Sequence, residues 1–573
     1  MDTIWDIQQP DPHQVQQLSQ TLGIDPLAAT LLINRKITSV TAARRYLNPS
    51  LSTIQSPPAI KDIETAAERV ARALIDNEKI LVFGDYDVDG VTGTAVLLEF
   101  FRQAGGRAGH YIPHRRQEGY GLQAHHIRDV VIAGDFSLII TVDCGIASHA
   151  AVKTANRHGI DVIITDHHQP GDGPLPPALA VVNPKRDDCP AGLEHLAGVG
   201  MAFYLLIQLR AHLRRIGFWR QRTEPNLKHL CDLVALGTVA DMVPLINENR
   251  TFTQTGLRLM TDCQRPGLCA LMASSRIEPR HIEADDISFR LAPRINAAGR
   301  MDHANLALEL LTTTDSRIAA QRARELDDLN RTRQQTEQVI VDDIIERLER
   351  DPQEKAHPVI LMLGDDWHEG VLGIAAARLV RRYAKPAILV SAKGDLARGS
   401  GRSLPGIDIV SHLRGCADLL EAFGGHAMAA GLTIATAQWE AFCQRFWSHF
   451  DPSAAAGPHR LNIPIDMEIS LDAVDQRLFD TLAQLKPFGE SVPEPVFMAR
   501  DVEIISQQTV GGRHRRMQLR RRHDAAVKPL AAIQFNADVD RPLPARLRRV
   551  AFHVRRHTWN GANGHQLHVI ATE

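Results

Sequence analysis

Residues 80–105, ILVFGDYDVDGVTGTAVLLEFFRQAG, decide the fold. The run 80–83 is short and wholly apolar, as in a strand buried on both faces, and the run from Val91 onward has the composition of a helix. Between them Asp85, Asp87 and Asp89 occupy the loop beyond the strand. The pattern recurs downstream. LIITV, Leu138–Val142, runs into Asp143, and DVIIT, Asp161–Thr165, runs into Asp166, His167 and His168, with helical sequence between the two. Short apolar strands alternating with helices predict an α/β domain with a parallel sheet covered on both faces, assigned to residues 51–312.

In an open parallel sheet, ligands bind in the crevice beyond the carboxyl ends of the strands. Three neighbouring strands therefore bring five aspartates (85, 87, 89, 143 and 166) and two histidines to one rim. Carboxylates crowded in this way repel one another unless cations neutralise them. Asp and His without Cys suit Mn²⁺ or Mg²⁺, and two such ions can hold both the attacking water and the leaving oxygen of a phosphodiester. If DYDVDG is extended, its alternation turns Asp85, Asp87 and Asp89 to one side. His167 and His168, being adjacent, then point differently, one to metal and the other to substrate phosphate. Taken singly, an aspartate after a strand is more often the N-cap of the next helix. Asp166 is better read as orienting a following histidine. Capping requires neither DxDxD nor paired histidines, so the set as a whole reads as a metal site.

A chain of 573 residues exceeds what one core can serve. Residues 1–50 read as a small helical preamble. Residues 313–352 form a long polar helix whose apolar positions (Leu326, Leu329, Ile340, Ile344, Leu348) thin out in the middle, as suits a bridge between domains. A second α/β domain is assigned to 353–452, and a linker, DPSAAAGP, begins at 451. The segment 453–573 has short strands broken by Gly-Gly, Asn-Gly and Pro, which predicts a small β-barrel. With 44% hydrophobic and 23% charged residues, no run approaches the roughly 18 apolar residues of a membrane span. The opening MDTIWDIQQPDP is not expected to act as a secretory signal. Seven scattered cysteines without a CxxC pair predict a reducing compartment, the cytoplasm, with neither a zinc site nor a disulfide framework. A net charge of -2 gives no hint of nucleic acid. Arg513, Arg515, Arg516, Arg520, Arg521 and Arg522, however, fall in a stretch without an acid, and a basic groove can exist on a neutral protein.

DYDVDG, DCG and DHH, in this order, resemble the DHH phosphoesterase superfamily, whose fourth acidic motif is similar to ALGTVADM here and supplies Asp241. The resemblance implies metal ligands at Asp87, Asp89, Asp143, His167 and Asp241, with Asp143 bridging. It further implies Asp85, among the catalytic residues, at the position of a further ligand, and His168 as a contact of the scissile phosphate. PHRRQEGYG (113–121), RINAAGRMD (294–302), RGSGRS (398–403) and FGGHAMAAG (423–431) are similar to the RecJ branch and its DHH-associated domain. The likeness covers essentially the whole chain beyond about residue 50. It implies 5′-to-3′ degradation of single-stranded DNA to mononucleotides, dependent on two Mn²⁺ or Mg²⁺ ions, in repair and recombination. Read from the residues, RGSGRS and GGH are glycine-rich loops in which Arg398, Ser400, Arg402 and His426 supply donors to phosphate. An exonuclease acting from a 5′ end needs a pocket for that terminal phosphate, and Arg115, Arg300, Ser400 and Arg402 are its candidates. Arg294 and Asn296 line the groove or tie the long helix to the core.

The C-terminal segment resembles the oligonucleotide-binding (OB) barrel of the same family. Arg513, Arg515, Arg516, Arg520 and Arg521 would then follow the DNA backbone, with Phe535, Phe552 and Trp559 the obvious stacking residues. One departure shows: in KPFGESVPEP, Ser491-Val492 stand where Gly-Asn is expected. The implied partner is single-stranded DNA, with a helicase and a single-strand-binding protein as possible associates and no membrane. Three alternatives stay open. An oligoribonuclease or small-nucleotide phosphodiesterase would have no use for an extended barrel. A non-catalytic replication scaffold of the same fold would be expected to have lost ligands. On an RNA-directed exonuclease the residues are silent.

Overall fold

The computed structural model describes residues 3–573 apart from 172, 451–460, 522–527, 540 and 560–561. The linker expected at 451, Arg522 and the side chain of Trp559 lie outside the described residues. The chain divides into two compact units. One comprises Pro57–Asp241 and Gly256–His459; the other comprises Met1–Ser56, Met242–Thr255 and Arg460–Glu573.

The first unit holds the predicted parallel sheet. Its strands are β1 (Lys79–Gly84), β2 (Arg107–Tyr111), β3 (Leu138–Val142), β4 (Asp161–Thr165) and β5 (Ala180–Val182). All neighbours run parallel in the order β2-β1-β3-β4-β5. The continuous apolar runs are explained by burial on both faces: Ile80, Leu81, Val82, Phe83, Ile139 and Ile140 are all 0% exposed. Leu81, Phe83, Ile139 and Ile164 pack on one side against Ile127, Val131 and the His149–Arg157 helix. The Val88–Ala104 and Gly198–Arg215 helices cover the other side. Chain order reverses between β1 and β3, so their carboxyl ends open a crevice in which a ligand can sit.

The 35-residue helix Ser316–Arg350 starts where Asp315 caps the backbone N–H groups of Arg317 and Ile318. Its apolar-poor middle is buried all the same. Asp327, Asn330 and Glu337 are each under 9% exposed and are satisfied by Arg294 and Arg333. The sequence offered charge at these positions, and the structure pairs it. Beyond this helix, β6 (Ile360–Asp365), β7 (Ala387–Lys393), β8 (Leu396–Arg402), β9 (Ala422–His426) and β10 (Ala429–Ala435) form a sheet in the order β9-β10-β8-β7-β6. RGSGRS is therefore strand rather than loop, and FGGHAMAAG is a hairpin. The glycines serve packing: a Cβ at Gly399 would meet Val390 at 2.6 Å, and one at Gly401 would meet Ile409 at 2.7 Å. Strand alternation leaves Arg398, Ser400 and Arg402 together on the opposite face.

In the second unit, β11 (Phe497–Val510), β12 (His514–Arg521), β13 (Leu530–Gln534), β14 (Arg546–Trp559) and β15 (Ala562–Thr572) pair in the order β11-β12-β13-β15-β14. β14 also pairs with β11, which closes a five-stranded barrel of OB type. Residues 1–50 are not a separate preamble. Leu18, Leu31, Leu32 and Tyr46 share one core with barrel residues Phe497, Leu519 and Phe552. The strand Thr3–Ile7 pairs in parallel with Leu461–Ile465. Residues 242–255, expected within the catalytic domain, belong here too, because Arg250 is buried among barrel-side carbonyls. It donates to Tyr46 (3.0 Å), Leu485 (2.9 Å), Lys486 (2.9 Å) and Pro487 (2.8 Å) and lies 3.6 Å above the Tyr46 ring. Ser491 adopts φ +60°, a left-handed conformation suited to the glycine expected near it.

Cys263 and Cys269 lie side by side, with Cα atoms 5.4 Å apart and their sulfurs adjacent, while the other five cysteines are buried and free. Among the described residues no helix is long and apolar enough to cross a membrane.

Candidate metal centre and adjoining cleft

The DYDVDG segment is not the extended loop its alternation suggested. Asp87 is the N-cap of Val88–Ala104, accepting from the backbone N–H groups of Asp89 (3.0 Å) and Gly90 (3.1 Å), so Asp89 sits in the first helical turn. Both oxygens of Asp89 are also engaged. They accept the N–H groups of Gly198 (2.6 Å) and Val199 (2.8 Å) at the start of the Gly198–Arg215 helix. These backbone donors had no side-chain signature in the sequence. The glycines beside them did leave one: a Cβ at Gly198 would fall 2.7 Å from Asp143 Cβ, and one at Gly237 would fall 3.0 Å from Asp89 Oδ1.

The ligating atoms fall into overlapping triplets, each within 4.8 Å: Asp85, Asp87 and Asp143; Asp89, His167 and Asp241; Asp143, His167 and His168. Asp143 thus lies between two foci. His167 Nε2 is 3.1 Å from Asp143 Oδ1, 3.6 Å from Asp241 Oδ2 and 3.8 Å from Asp89 Oδ2. Asp85 Oδ1, Asp143 Oδ1 and His167 Nε2 are buried without a hydrogen bond. Asp166 does what a positioning residue should. Its Oδ1 accepts the N–H groups of His167 and His168 and lies 2.8 Å from His168 Nδ1, and its Oδ2 accepts Ile146 N–H.

Burial, then mutual repulsion, pushes Asp85 and Asp143 far above the usual carboxylate range, Asp89 to about 7 and Asp241 to about 9. Burial drives His167 down to about 3. Asp166 and His168 go the other way: against burial, their hydrogen bond holds the carboxylate low and the imidazole high. Buried carboxylates that repel and lack donors are destabilised unless a cation occupies the space between them, and oxygen and imidazole donors without thiolate fit a hard divalent ion. The residues present fit such a centre.

Next to it, a cleft of about 630 Å³ is lined by Tyr86, Arg115, Arg116 and Tyr120 on one wall and by Arg398 and Ser400 on the other. Arg115 lies over the Tyr86 ring at 4.7 Å. Arg402 reaches Ser400 Oγ at 3.1 Å, an approach that Gly373 permits, since a Cβ there would meet Arg402 Nη2 at 2.6 Å. Arg300 is lowered to about 9 by burial and by the neighbouring charges of Arg115, Arg402 and Arg333. A cluster of cations so placed favours an anion.

The remaining sequence candidates divide. His426 stands exposed at the end of β9 and is not among the residues lining this cleft. Arg294 is committed to Asp327 of the long helix at 2.9 Å, the second of its two readings, and Asn296 is half-buried on the same helix as Arg294. The arginine run is not a uniform cationic stripe, because strand alternation divides it. Arg515 is 5% exposed and bonds Gln534 and the Asp538 and Arg541 carbonyls, so it braces the barrel instead of facing solvent. Arg520 pairs with Glu503 (3.0 Å) and Arg521 with Asp472 (3.3 Å); Arg516 is half-buried and Arg513 is exposed. Phe552 is fully buried in the core, whereas Phe535, half exposed, stands between His514 and His568.

Comparison with known proteins gives three family matches: the DHH family, N-terminal domain, over residues 79–238; the DHHA1 domain over 356–450; and the RecJ OB domain over 465–571. A Dickeya dadantii protein named single-stranded-DNA-specific exonuclease RecJ is 40% identical over 464 residues, covering 79% of this chain and 80% of its own length. A Bacillus subtilis protein of the same name is 35% identical over 534 residues, covering 93% of this chain, which spans 66% of that relative. The crystal structure of RecJ in complex with Mn²⁺ from Thermus thermophilus superposes with a TM-score of 0.82 at 30% identity, covering all of this chain and 80% of that one.

Proposed function

Because the chain belongs to the RecJ family, we propose that it is a 5′-to-3′ exonuclease specific for single-stranded DNA, releasing mononucleotides with Mn²⁺ or Mg²⁺. One observation carries this reading: a cluster of buried, mutually repelling carboxylates adjoins an arginine-lined cleft, with Tyr120 bonded to the Asp143 carbonyl and the charge of Arg115 felt at Asp85. The first suits divalent cations and the second a phosphate monoester, with a phosphodiester spanning the two.

Asp87, Asp89, Asp143, His167 and Asp241 would hold two ions, with Asp143 between them and Asp85 beside the first. Ions so held polarise a phosphodiester and lower the pKa of water. The protein's own groups supply the rest. Arg115, Arg300, Ser400 and Arg402 bind the terminal 5′ phosphate and so set polarity and step length, with Arg398 at the mouth of the cleft. His168, whose pKa the adjoining Asp166 carboxylate raises, donates to a non-bridging oxygen of the scissile phosphate and balances the charge that develops there. Asp89 is held in place by the Gly198 and Val199 amides, so it reaches the reaction already oriented. On the barrel, Arg513, Arg516 and Phe535 present cationic and aromatic surface to a following strand. A helicase that feeds single strands and a protein that coats them in the cytoplasm are the partners such an activity calls for.

The test uses internally labelled single-stranded DNA with Mn²⁺ or Mg²⁺, blocked at the 5′ end in one sample and at the 3′ end in another. Mononucleotide release stopped only by the 5′ block is the expected result. Release only from RNA or from very short oligomers would replace the substrate, and no cleavage with any metal would remove the nuclease reading.

A further inference from the structure

Glu118 sits in the segment PHRRQEGYG, and its side chain is 21% exposed. It lines the edge of the cleft, with its carboxylate turned to the end of β2. Oε1 accepts the phenol of Tyr111 at the end of β2 at 2.6 Å, and Oε2 accepts the backbone N–H of His114. The His114 carbonyl in turn accepts the N–H groups of Gln117 and Glu118, and His114 Nδ1 accepts that of Arg116, so residues 114–118 close into one tight turn. Arg115 and Arg116 project from its crown. Arg115 lies over Tyr86, and the Arg116 carbonyl accepts Arg398 from β8 across the cleft at 3.2 Å. Just beyond the turn, Tyr120 donates to the Asp143 carbonyl at 3.1 Å and lies 3.4 Å from His168 Nδ1.

Glu118, His125 and His126 offer ligand atoms within 4.8 Å of one another, which raises a second metal as the rival reading. The tautomer decides against it. His126 Nδ1 accepts Gln123 N–H at 3.0 Å, so the neutral ring carries its proton on Nε2, which faces Glu118 Oε1 at 3.5 Å. No lone pair on that ring is left for a cation. Glu118 therefore acts as an acceptor, bonded by Tyr111 and by the His114 amide.

We propose that Glu118 is a positioning residue: it fastens the 113–121 turn to the sheet and so sets Arg115 and Tyr120 relative to the acidic cluster. The inference rests on the substrate cleft proposed above. The carboxylate is engaged by Tyr111 and His114, so losing it frees the turn that carries Arg115, and the effect falls on capture of the 5′ end.

The experiment compares wild type, Glu118→Ala, Glu118→Gln and Tyr111→Phe, saturated with Mn²⁺, on single-stranded DNA with and without a 5′ phosphate. Thermal midpoints are recorded alongside. For Glu118→Ala the expected result is a roughly tenfold higher KM on 5′-phosphorylated DNA and loss of the preference for it, with kcat within about threefold. Glu118→Gln keeps an oxygen acceptor and recovers most of the KM, and Tyr111→Phe falls between the two. A merely structural role would reduce the active fraction, lowering kcat at unchanged KM and unchanged preference; that outcome overturns the proposal. If wild type itself fails to cut single-stranded DNA, the nuclease reading falls and takes this inference with it. If wild type cuts and the Glu118→Ala preference is intact, only this inference falls.

Discussion

Stripping the metal should make the protein less stable as pH rises, the reverse of the usual behaviour of carboxylates. Asp89 is raised from 3.8 to about 7 and Asp241 from 3.8 to about 9, by burial and by neighbouring aspartates. Where the folded pKa exceeds the unfolded one, the native state binds more protons, so stability is fully present below the unfolded value and is lost as pH climbs toward the folded value. Each pH unit in that window removes up to about 1.4 kcal/mol per group. Across 3.8 to about 7, the Asp89 carboxyl alone withdraws about 4 kcal/mol. Urea unfolding of chelator-treated protein, followed at pH 5, 7 and 9, should show a midpoint that falls with pH. Added Mn²⁺ should restore it, most strongly at pH 9, where fewest protons need displacing. Asp241→Asn should flatten the upper part of the curve. A metal-free midpoint that is constant or rising from pH 5 to 9, and unaltered by that substitution, would refute the reasoning.

Three further outcomes follow from single contacts. Arg402→Ala removes a charged donor from the anion site, so KM on 5′-phosphorylated single-stranded DNA should rise by roughly 10- to 100-fold, with little change on 5′-hydroxyl DNA, in steady-state assays. Gly198→Ala would put a methyl 2.7 Å from Asp143 Cβ. Calorimetry should then show Mn²⁺ binding weakened by roughly tenfold or more while single-stranded DNA binding persists. Arg250→Met removes the donor from four carbonyls, of which Leu485 keeps another in Tyr46, and should cost about 3 kcal/mol or more in urea unfolding, with Mn²⁺ affinity unchanged.

The sheet was legible because it is built from local signals. LIITV and DVIIT became β3 and β4 residue for residue, since only a doubly covered strand tolerates the five and four successive buried positions they supply. The acids at the strand ends followed from the same logic. What could not be read depended on partners distant in sequence. The strand Thr3–Ile7 finds its mate at Leu461–Ile465, and nothing near residue 5 announces it. The Gly198 and Val199 amides that hold Asp89 are main-chain atoms from a helix more than a hundred residues away. Two local readings erred through a competing local rule. Asp87 chose the N-cap over an extended loop, and the glycines of RGSGRS proved to be small because Val390 and Ile409 lie behind them. The arginine run misled for a third reason: counting charge ignored the strand's alternation, which turned Arg515 inward.

The proposed function requires Asp87, Asp89, Asp143, His167 and Asp241 to hold two divalent ions, with Asp143 between them. The most direct test counts Mn²⁺ bound per chain and measures single-stranded DNA cleavage and binding for wild type and Asp143→Ala. The account predicts about two ions for wild type and at most about one for the variant, cleavage reduced by roughly a thousandfold or more, and DNA affinity within about threefold. A variant that still binds two ions, or that cuts at the wild-type rate, would contradict it.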